Sequence, residues 1–499
     1  MQQGLRILVG IAVAGGLLWG GISQAAAPAD PVWIGAGNLA ARHDVEILVD
    51  AGVLSTPMDA WPLPWDALRA DLQAVDRERL SPLQRAAWRR LMAALPTSGG
   101  CRAPSPEGAL VSRGTAAPLG WFAGAPRMRQ GYVAGAGGRC GPFFYRARLS
   151  HVEHPDDSDR RQNRLDGSYL GAVAGNWLVT AGEEPRWWGS AWGGSMVLGL
   201  NARPFPAIGL RRVRATPFRS HWLSWLGPWR LDACLGQLES NRYVPNTRML
   251  GLRFSFRPLP HLQIGLYRTA EWGGDGKDSS PRQLVRIMMG NNGKGPSVAG
   301  NQVAGVDVRW SWASDAVSWA AYGSAGFEDE IHHIPKKDFP VFGLEAAWQD
   351  RAWSRRAFVE YSDTTAGWPF HGGPSRNYTY ENFQYRSGYR YYGQTIGFPS
   401  DNDSRLLTTG LMQVDTDGRQ LTLLARAGVL NADGSNAPFP GGNPIAPERT
   451  RLLDAEAGWA MPLGPGQLTL GAAAVLREPA GLPRDARLTG WLGWSAAFP

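Results

Sequence analysis

The chain has 499 residues, with 51 Lys and Arg against 43 Asp and Glu, 63 glycines, 23 tryptophans and only 19% charged residues. Beyond the N-terminal leader no stretch offers about 18 uninterrupted apolar residues, which excludes membrane-spanning helices; a soluble globule of this length would carry long amphipathic helices and split into several domains. The composition instead suits strands with one apolar and one polar face, as in the wall of a membrane barrel.

Residues 1–25 read as an export signal. Arg6 supplies the positive start, Ile7 to Ile22 an apolar run broken by glycines, and Ser23-Gln24-Ala25 the small residues of a cleavage site, so cleavage is expected after Ala25. No cysteine follows that would take a lipid anchor. Loss of Arg6 lowers the formal charge of +8 by one. An exported basic chain meets acidic lipopolysaccharide or polysaccharide rather than nucleic acid, and a generally solvated basic surface explains the charge equally well.

Residues 26–107 are expected to form a small helical bundle and a linker. Asn38 can cap a helix carrying Leu39, Val45, Leu48 and Val49, with Gly52 near its end. Trp61-Pro62-Leu63-Pro64-Trp65 is a rigid turn that leads into a helix to about Val75. Ser81-Pro82 starts a third, because the hydroxyl caps orphan amides and proline needs no donor at the first position. Leu83, Ala87, Leu91 and Leu95 line one side of it. Pro96 to Gly108 follows as a linker rich in Gly, Pro and Ser.

From about residue 108 to 499 the period becomes two. Leu250, Leu252, Phe254 and Phe256 alternate with Met249, Gly251, Arg253 and Ser255; Val306, Val308, Trp310 and Trp312 alternate with Asp307, Arg309 and Ser311; Leu468, Leu470, Ala472, Ala474 and Leu476 repeat the pattern. Each run is about ten residues, enough for a tilted strand to cross a bilayer. Short turns such as Arg257-Pro258-Leu259-Pro260 and long loops such as His154 to Gly167 separate the runs. At roughly 20–24 residues per strand and connection the segment holds about 16–20 strands, an even number in bacterial barrels. Trp222, Trp225, Trp229, Trp272 and Trp368 at run ends suit interfacial girdles. The last run alternates through Leu488, Gly490, Leu492, Trp494 and Ala496 to Phe498, the near-terminal aromatic that barrel-insertion machinery reads, with Pro499 beyond it. A soluble sandwich or propeller would use the same alternation, but no blade-length repeat is visible.

Three segments in this order resemble the capsule-assembly Wzi family: His43-Asp44-Val45-Glu46-Ile47-Leu48-Val49-Asp50-Ala51-Gly52-Val53-Leu54 followed by Trp61-Pro62-Leu63-Pro64-Trp65; Arg186-Trp187-Trp188-Gly189 running to Asn201-Ala202-Arg203-Pro204; and Gly388-Tyr389-Arg390-Tyr391-Tyr392-Gly393 through Ile396-Gly397 to Asp401-Asn402-Asp403-Ser404-Arg405. The resemblance spans nearly the whole exported chain. It implies an all-β transmembrane antiparallel barrel of 18 strands in a Gram-negative outer membrane. The helical bundle would plug its periplasmic end, and extracellular loops would fold into its mouth. It also implies a lectin-like, non-enzymatic role in holding capsular polysaccharide or exopolysaccharide at the cell surface, by a monomer set in outer-membrane lipid and lipopolysaccharide. A porin or saccharide-specific channel is the alternative, and a structural barrel without a sugar ligand a third.

Two constellations could bind sugar. Arg186, Trp187, Trp188 and Trp192 combine aromatic faces with a forked donor suited to acidic sugars; alternatively the tryptophans wedge a loop into the barrel. Tyr389, Tyr391 and Tyr392, with Gln394, Asp401, Asn402 and Asp403, offer faces, amides and carboxylates for hydroxyl pairs; alternatively they are girdle tyrosines and a solvated turn. Asp401-Asn402-Asp403 is rich in oxygen but lacks the remaining ligands of an EF-hand. His151 and His154 point to opposite faces of a strand, and His332 and His333 have no completing acid or thiol, so no metal is expected. No Gly-x-Ser-x-Gly elbow is present, the acids at Glu183 and Glu184 have no defined spacing, and no cofactor is expected. Of the three cysteines, Cys101 in the linker and Cys140 at the first periplasmic turn would lie on the same side of the membrane and could form a disulfide, with Cys234 left over; unpaired thiols remain the other possibility.

Overall fold

The structure is a computed structural model. It describes residues 30–498 apart from 98–99, 102–103, 116, 118, 125–127, 156–157, 290–299, 332–333, 368–376 and 436–441. The leader, Trp368, His332, His333 and Pro499 fall outside the described residues.

Two-residue alternation closes the chain into one antiparallel barrel of 18 strands. In chain order these are β1 (Ser105–Arg113), β2 (Gln130–Cys140), β3 (Phe143–Glu153), β4 (Tyr169–Ala174), β5 (Trp177–Gly182), β6 (Ala207–Arg212), β7 (Trp229–Gln237), β8 (Arg248–Leu259) and β9 (Leu262–Trp272). The second half is β10 (Gly300–Ala313), β11 (Val317–Ile331), β12 (Ile334–Asp350), β13 (Trp353–Asp363), β14 (Arg405–Val414), β15 (Gln420–Leu430), β16 (Thr450–Leu463), β17 (Gly466–Pro479) and β18 (Asp485–Ala497). β18 pairs with β1, so the sheet has no open edge to leave amides unsatisfied in hydrocarbon. A two-residue strand at Asn163–Arg164 adds to β3.

Alternation sorts the two faces. Leu235, Leu266, Val308, Leu344, Leu407 and Leu453 stand exposed on the outside, an apolar surface too extensive for contact with water. Arg253, Asp307, Arg309, Glu345, Arg356 and Glu360 are buried inside. Short connections at 141–142, 260–261, 314–316, 351–352 and 464–465 mark one end, and long ones at 183–206, 273–299, 364–404 and 431–449 mark the other.

Three N-terminal helices form, the first and third started by capping residues: α1 (Leu39–Asp50), α2 (Trp65–Ala74) and α3 (Pro82–Ala94). Asn38 Oδ1 accepts from the Ala41 amide, and Ser81 and Gln84 exchange side-chain bonds in a capping box. α1 buries Val45, Ile47, Leu48 and Val49, each worth roughly 1.5–3 kcal/mol of apolar transfer. It packs against β10 and β11, and α3 against β12 and β13, so the bundle sits inside the short-turn end of the wall. Arg90 grips Asp44 through Nε and Nη2 and ties α3 to α1.

Some placements differ from the sequence reading. The first strand begins at Ser105, inside the expected linker, because the Pro106 carbonyl accepts from the Phe498 amide and keeps the proline in the sheet. Trp222 and Trp225 are exposed at the short-turn end, whereas Trp272 is buried: an outer helix, α4 (Pro281–Met288), lays Ile287 over it. The cysteines pair as the sequence reading proposed: Cys101 is bonded to Cys140 at the end of β2, closing a 39-residue separation, and Cys234 is free and buried.

Candidate functional site

The segment Arg186-Trp187-Trp188 leaves β5 and turns inward. Trp187 and Trp188 pair antiparallel with Trp61 and Ala60, so the loop and the N-terminal segment form one small ladder in the lumen. Trp192 continues inward. Its Nε1 donates to Glu345 Oε2 at 2.6 Å, its amide to Glu360 Oε1 at 2.6 Å, and its ring stacks on Phe358 at 5.9 Å. The Arg42 guanidinium of α1 lies 3.9 Å over the same ring. Arg186 donates to the Glu184 carbonyl at 3.2 Å. All four residues are buried, and the cavity beside Arg186 is about 30 Å³, room for a water or two and not for a pyranose.

Around Trp192 the lumen is held by charge. Arg309 reaches Asp50 at 2.8 Å and Glu345 at 2.5 Å; Arg356 reaches Glu46 at 2.8 Å and Glu345 at 2.7 Å. Helix carboxylates on one side and wall arginines on the other therefore clamp α1 to β10, β12 and β13. His43 belongs to this clamp. Burial, then Arg356 and Arg90, hold its pKa well below the usual range. Its neutral Nδ1 accepts from Arg356 Nε at 3.1 Å, so Nε2 carries the proton and donates to Ser354 Oγ at 2.8 Å.

The second constellation is also packed inward. Tyr389 stacks on Tyr380 at 5.8 Å, and its hydroxyl lies 3.0 Å from the Val197 carbonyl and 2.9 Å from Thr269 Oγ1. Tyr391 and Gln394 close a two-residue ladder, with Tyr391 buried and Gln394 half-buried. Asp401 is fully buried and held by Arg390, Nε to Oδ2 at 2.8 Å and Nη2 to Oδ1 at 2.6 Å. Asn402 donates to Glu381 Oε1, and Asp403 Oδ2 accepts from the Asn377 amide at 2.6 Å. Burial, and then Asp433, Glu381 and Asp401, push Asp403 up to about 7 against that amide. Asp401-Asn402-Asp403 is thus the internal frame of a loop and not a solvated turn. Among the described residues no group of three His, Cys, Asp or Glu could hold a metal; His151 bonds Asn163 instead, 2.9 Å from its Oδ1.

Aromatic and cationic groups gather at the long-loop end around half-buried Tyr392, which the motif reading selected, with exposed Arg161, Tyr243, Arg386 and Phe383, which it did not. Arg161 is 62% exposed, donates to the Tyr392 hydroxyl, and lies 5.3 Å from that ring, with Arg203 at 5.4 Å beside it. Arg203 is fixed by Asp159 and Asp166, and burial and then Asp166 push the adjacent Glu183 up to about 7. Tyr392 is T-shaped to Tyr391 at 4.7 Å. Earlier in the same loop as Tyr392, Arg386 lies 4.9 Å over the exposed Tyr243 of the 238–247 connection, and Phe383 is exposed nearby in sequence. Tyr392 and Arg203 were legible in the motif segments, whereas for Arg161, Tyr243 and Arg386 the only sequence signal was their place in polar loops.

The sequence profile of the family "capsule assembly protein Wzi" matches residues 128–476. A protein of the cps region of Klebsiella pneumoniae, described as an uncharacterized 55.8 kDa protein, is 29% identical over 205 residues, which cover 40% of this chain and 40% of that protein. The solved structure of Wzi from Escherichia coli, described as an outer-membrane protein involved in group 1 capsule assembly and a carbohydrate-binding β-barrel, superposes with a TM-score of 0.79 at 20% identity, over 93% of this chain and 99% of that one.

Proposed function

The chain belongs to the Wzi capsule-assembly family, and from that premise we propose that it is a non-enzymatic, lectin-like barrel of the outer membrane that binds capsular polysaccharide or exopolysaccharide and retains it at the cell surface. The bundle α1–α3 faces the periplasm in this reading, and the long loops face outward. The chain works as a monomer in lipid and lipopolysaccharide after export and insertion. The observation that carries the proposal is a lumen largely occupied by helix and loop beneath a rim of exposed Arg161, Tyr243 and Arg386 around half-buried Tyr392. Aromatic faces stack on sugar C–H faces, and guanidinium forks suit carboxylates of acidic sugars. Arg186, Trp187, Trp188, Trp192, Tyr389, Tyr391, Gln394, Asp401 and Asp403 then position the rim from below.

The test compares cells carrying Arg161→Ala with Tyr392→Ala and Tyr243→Ala against wild type at matched barrel level. Retained surface polysaccharide should fall about tenfold, the size of one lost charge-assisted contact; unchanged retention overturns the rim. The filled lumen also favours a binder over a channel, so planar-bilayer recordings should lack steady large openings.

A further inference from the structure

Opposite the clamped wall, the inner face of β15–β18 and β1 does not touch the bundle closely. The register places Arg113 beside Trp491, Trp491 beside Gly471, Gly471 beside Gly458, and Gly458 beside Thr422, so one row of the wall forms a floor. The glycine at 471 is required there: a Cβ would lie 2.2 Å from the Trp491 ring. Above this floor is a cavity of about 260 Å³, lined by Gln420, Thr422, Glu456 and Trp491 from the wall and by Leu39 and Trp121 from the segments facing it. That is just under the roughly 300 Å³ at which sites for drug-sized ligands begin, a size for one sugar ring rather than a chain.

Arg113 is the unusual member. Its guanidinium carbon lies 4.5 Å from the Trp491 ring centroid, it is only 7% exposed, and its Nε and Nη2 have no hydrogen-bond partner among the described residues. Elsewhere in this protein that same Nε–Nη2 edge takes a carboxylate: Arg90 holds Asp44, Arg146 holds Glu107, Arg203 holds Asp166 and Arg390 holds Asp401. The acids nearest Arg113, Glu456 and Asp454, sit beside Arg426, whose Nη1 lies 2.5 Å from Asp454 and 3.4 Å from Glu456, and neither makes a hydrogen bond to the Arg113 fork. A buried cation with an unmade fork is costly, and a carboxylate entering the cavity would satisfy both donors at once.

We propose that this cavity is a lumenal subsite for a single acidic sugar residue, its carboxylate held by the Nε–Nη2 edge of Arg113 and its ring placed between Trp121 and the Gln420–Thr422 side chains. The carboxylate half of the assignment stands on Arg113 alone; the sugar half rests on the function proposed above. The subsite is separate from the rim, so the two can fail independently.

Titration calorimetry on the full chain in detergent tests it with D-glucuronate, D-glucose and acetate as probes. Wild type should bind glucuronate, with glucose and acetate each at least about tenfold weaker, since one lacks the carboxylate and the other the ring. Arg113→Gln should weaken glucuronate by at least about tenfold and leave glucose unchanged, and Arg113→Lys, which keeps the charge without the fork, should fall between. Glucuronate binding unaffected in Arg113→Gln, acetate binding as tightly as glucuronate, or no glucuronate binding at all overturns the proposal. Should Arg113→Gln fail to fold, the Lys variant and the three-probe comparison on wild type still decide it. Unchanged retention in the rim variants with glucuronate binding intact would count against the first reading and not this one.

Discussion

Along β8–β13 the inward rows meet helix or loop nearly everywhere. Arg253 holds Asp59 at 2.6 Å, Arg309 holds Asp50, Arg356 holds Glu46, and Trp192 lies against Glu345 and Phe358. Along β15–β18 and β1 the inward rows are thinner, with Gly458, Gly471, Thr422 and Thr469, and a cavity remains. Both walls come from the same alternating pattern. The difference is that charges on one wall find partners on α1 and are immobilised by them, while small residues on the other leave space that Arg113 faces. A filled wall holds the plug, and an unfilled wall can hold a ligand.

The largest effect should come from breaking the clamp. Arg309→Met leaves Asp50 and Glu345 each short of a partner in the dry lumen, and losing one side of a buried pair costs about 3–5 kcal/mol. Denaturant unfolding in detergent, with protease cleavage within residues 39–94 as a local readout, should show that loss. A variant as stable as wild type would mean the bundle is not held by this wall. Trp192→Phe keeps a ring but removes the Nε1 donor to Glu345, for about 1.5–3 kcal/mol. Because Trp192 is buried, surface polysaccharide at matched protein level should not change; a specific loss of retention at wild-type stability would return it to the contact surface.

The smallest effect concerns pH at the loop end. Asp403 keeps its proton up to about 7 when folded, whereas an unfolded aspartate loses it near the ordinary aspartate value of 3.8, so the folded state binds more protons in that window. Stability of the loop therefore falls as pH rises from about 4 to 7. Asp403→Asn should flatten this slope while tolerating the positive φ of 44° at that position. The comparison is protease resistance of residues 400–404 at pH 5 and pH 8; an unchanged slope would show that Asp403 does not titrate there.

Much of the fold was legible because its signals are local. Asn38, Ser81 and Pro82 start helices through bonds made within one turn, and the wall follows from strict alternation such as Leu250 to Phe256, which needs no knowledge of the partner strand. The site was less legible. Trp187, Trp192 and Tyr389 carry the chemistry of a sugar platform, and nothing in their spacing shows that Trp61, Glu345 and Thr269 cover them.

The sequence by itself determined the N-terminal helices and a wall with one oily and one polar face, since each is written in neighbours within a few residues. Only the tertiary structure decided which arginines are spent on partners and which, like Arg113, are not, because that depends on residues hundreds of positions apart meeting across a closed lumen. Closure of the sheet turns a pattern of faces into an inside, and packing of that inside assigns the roles.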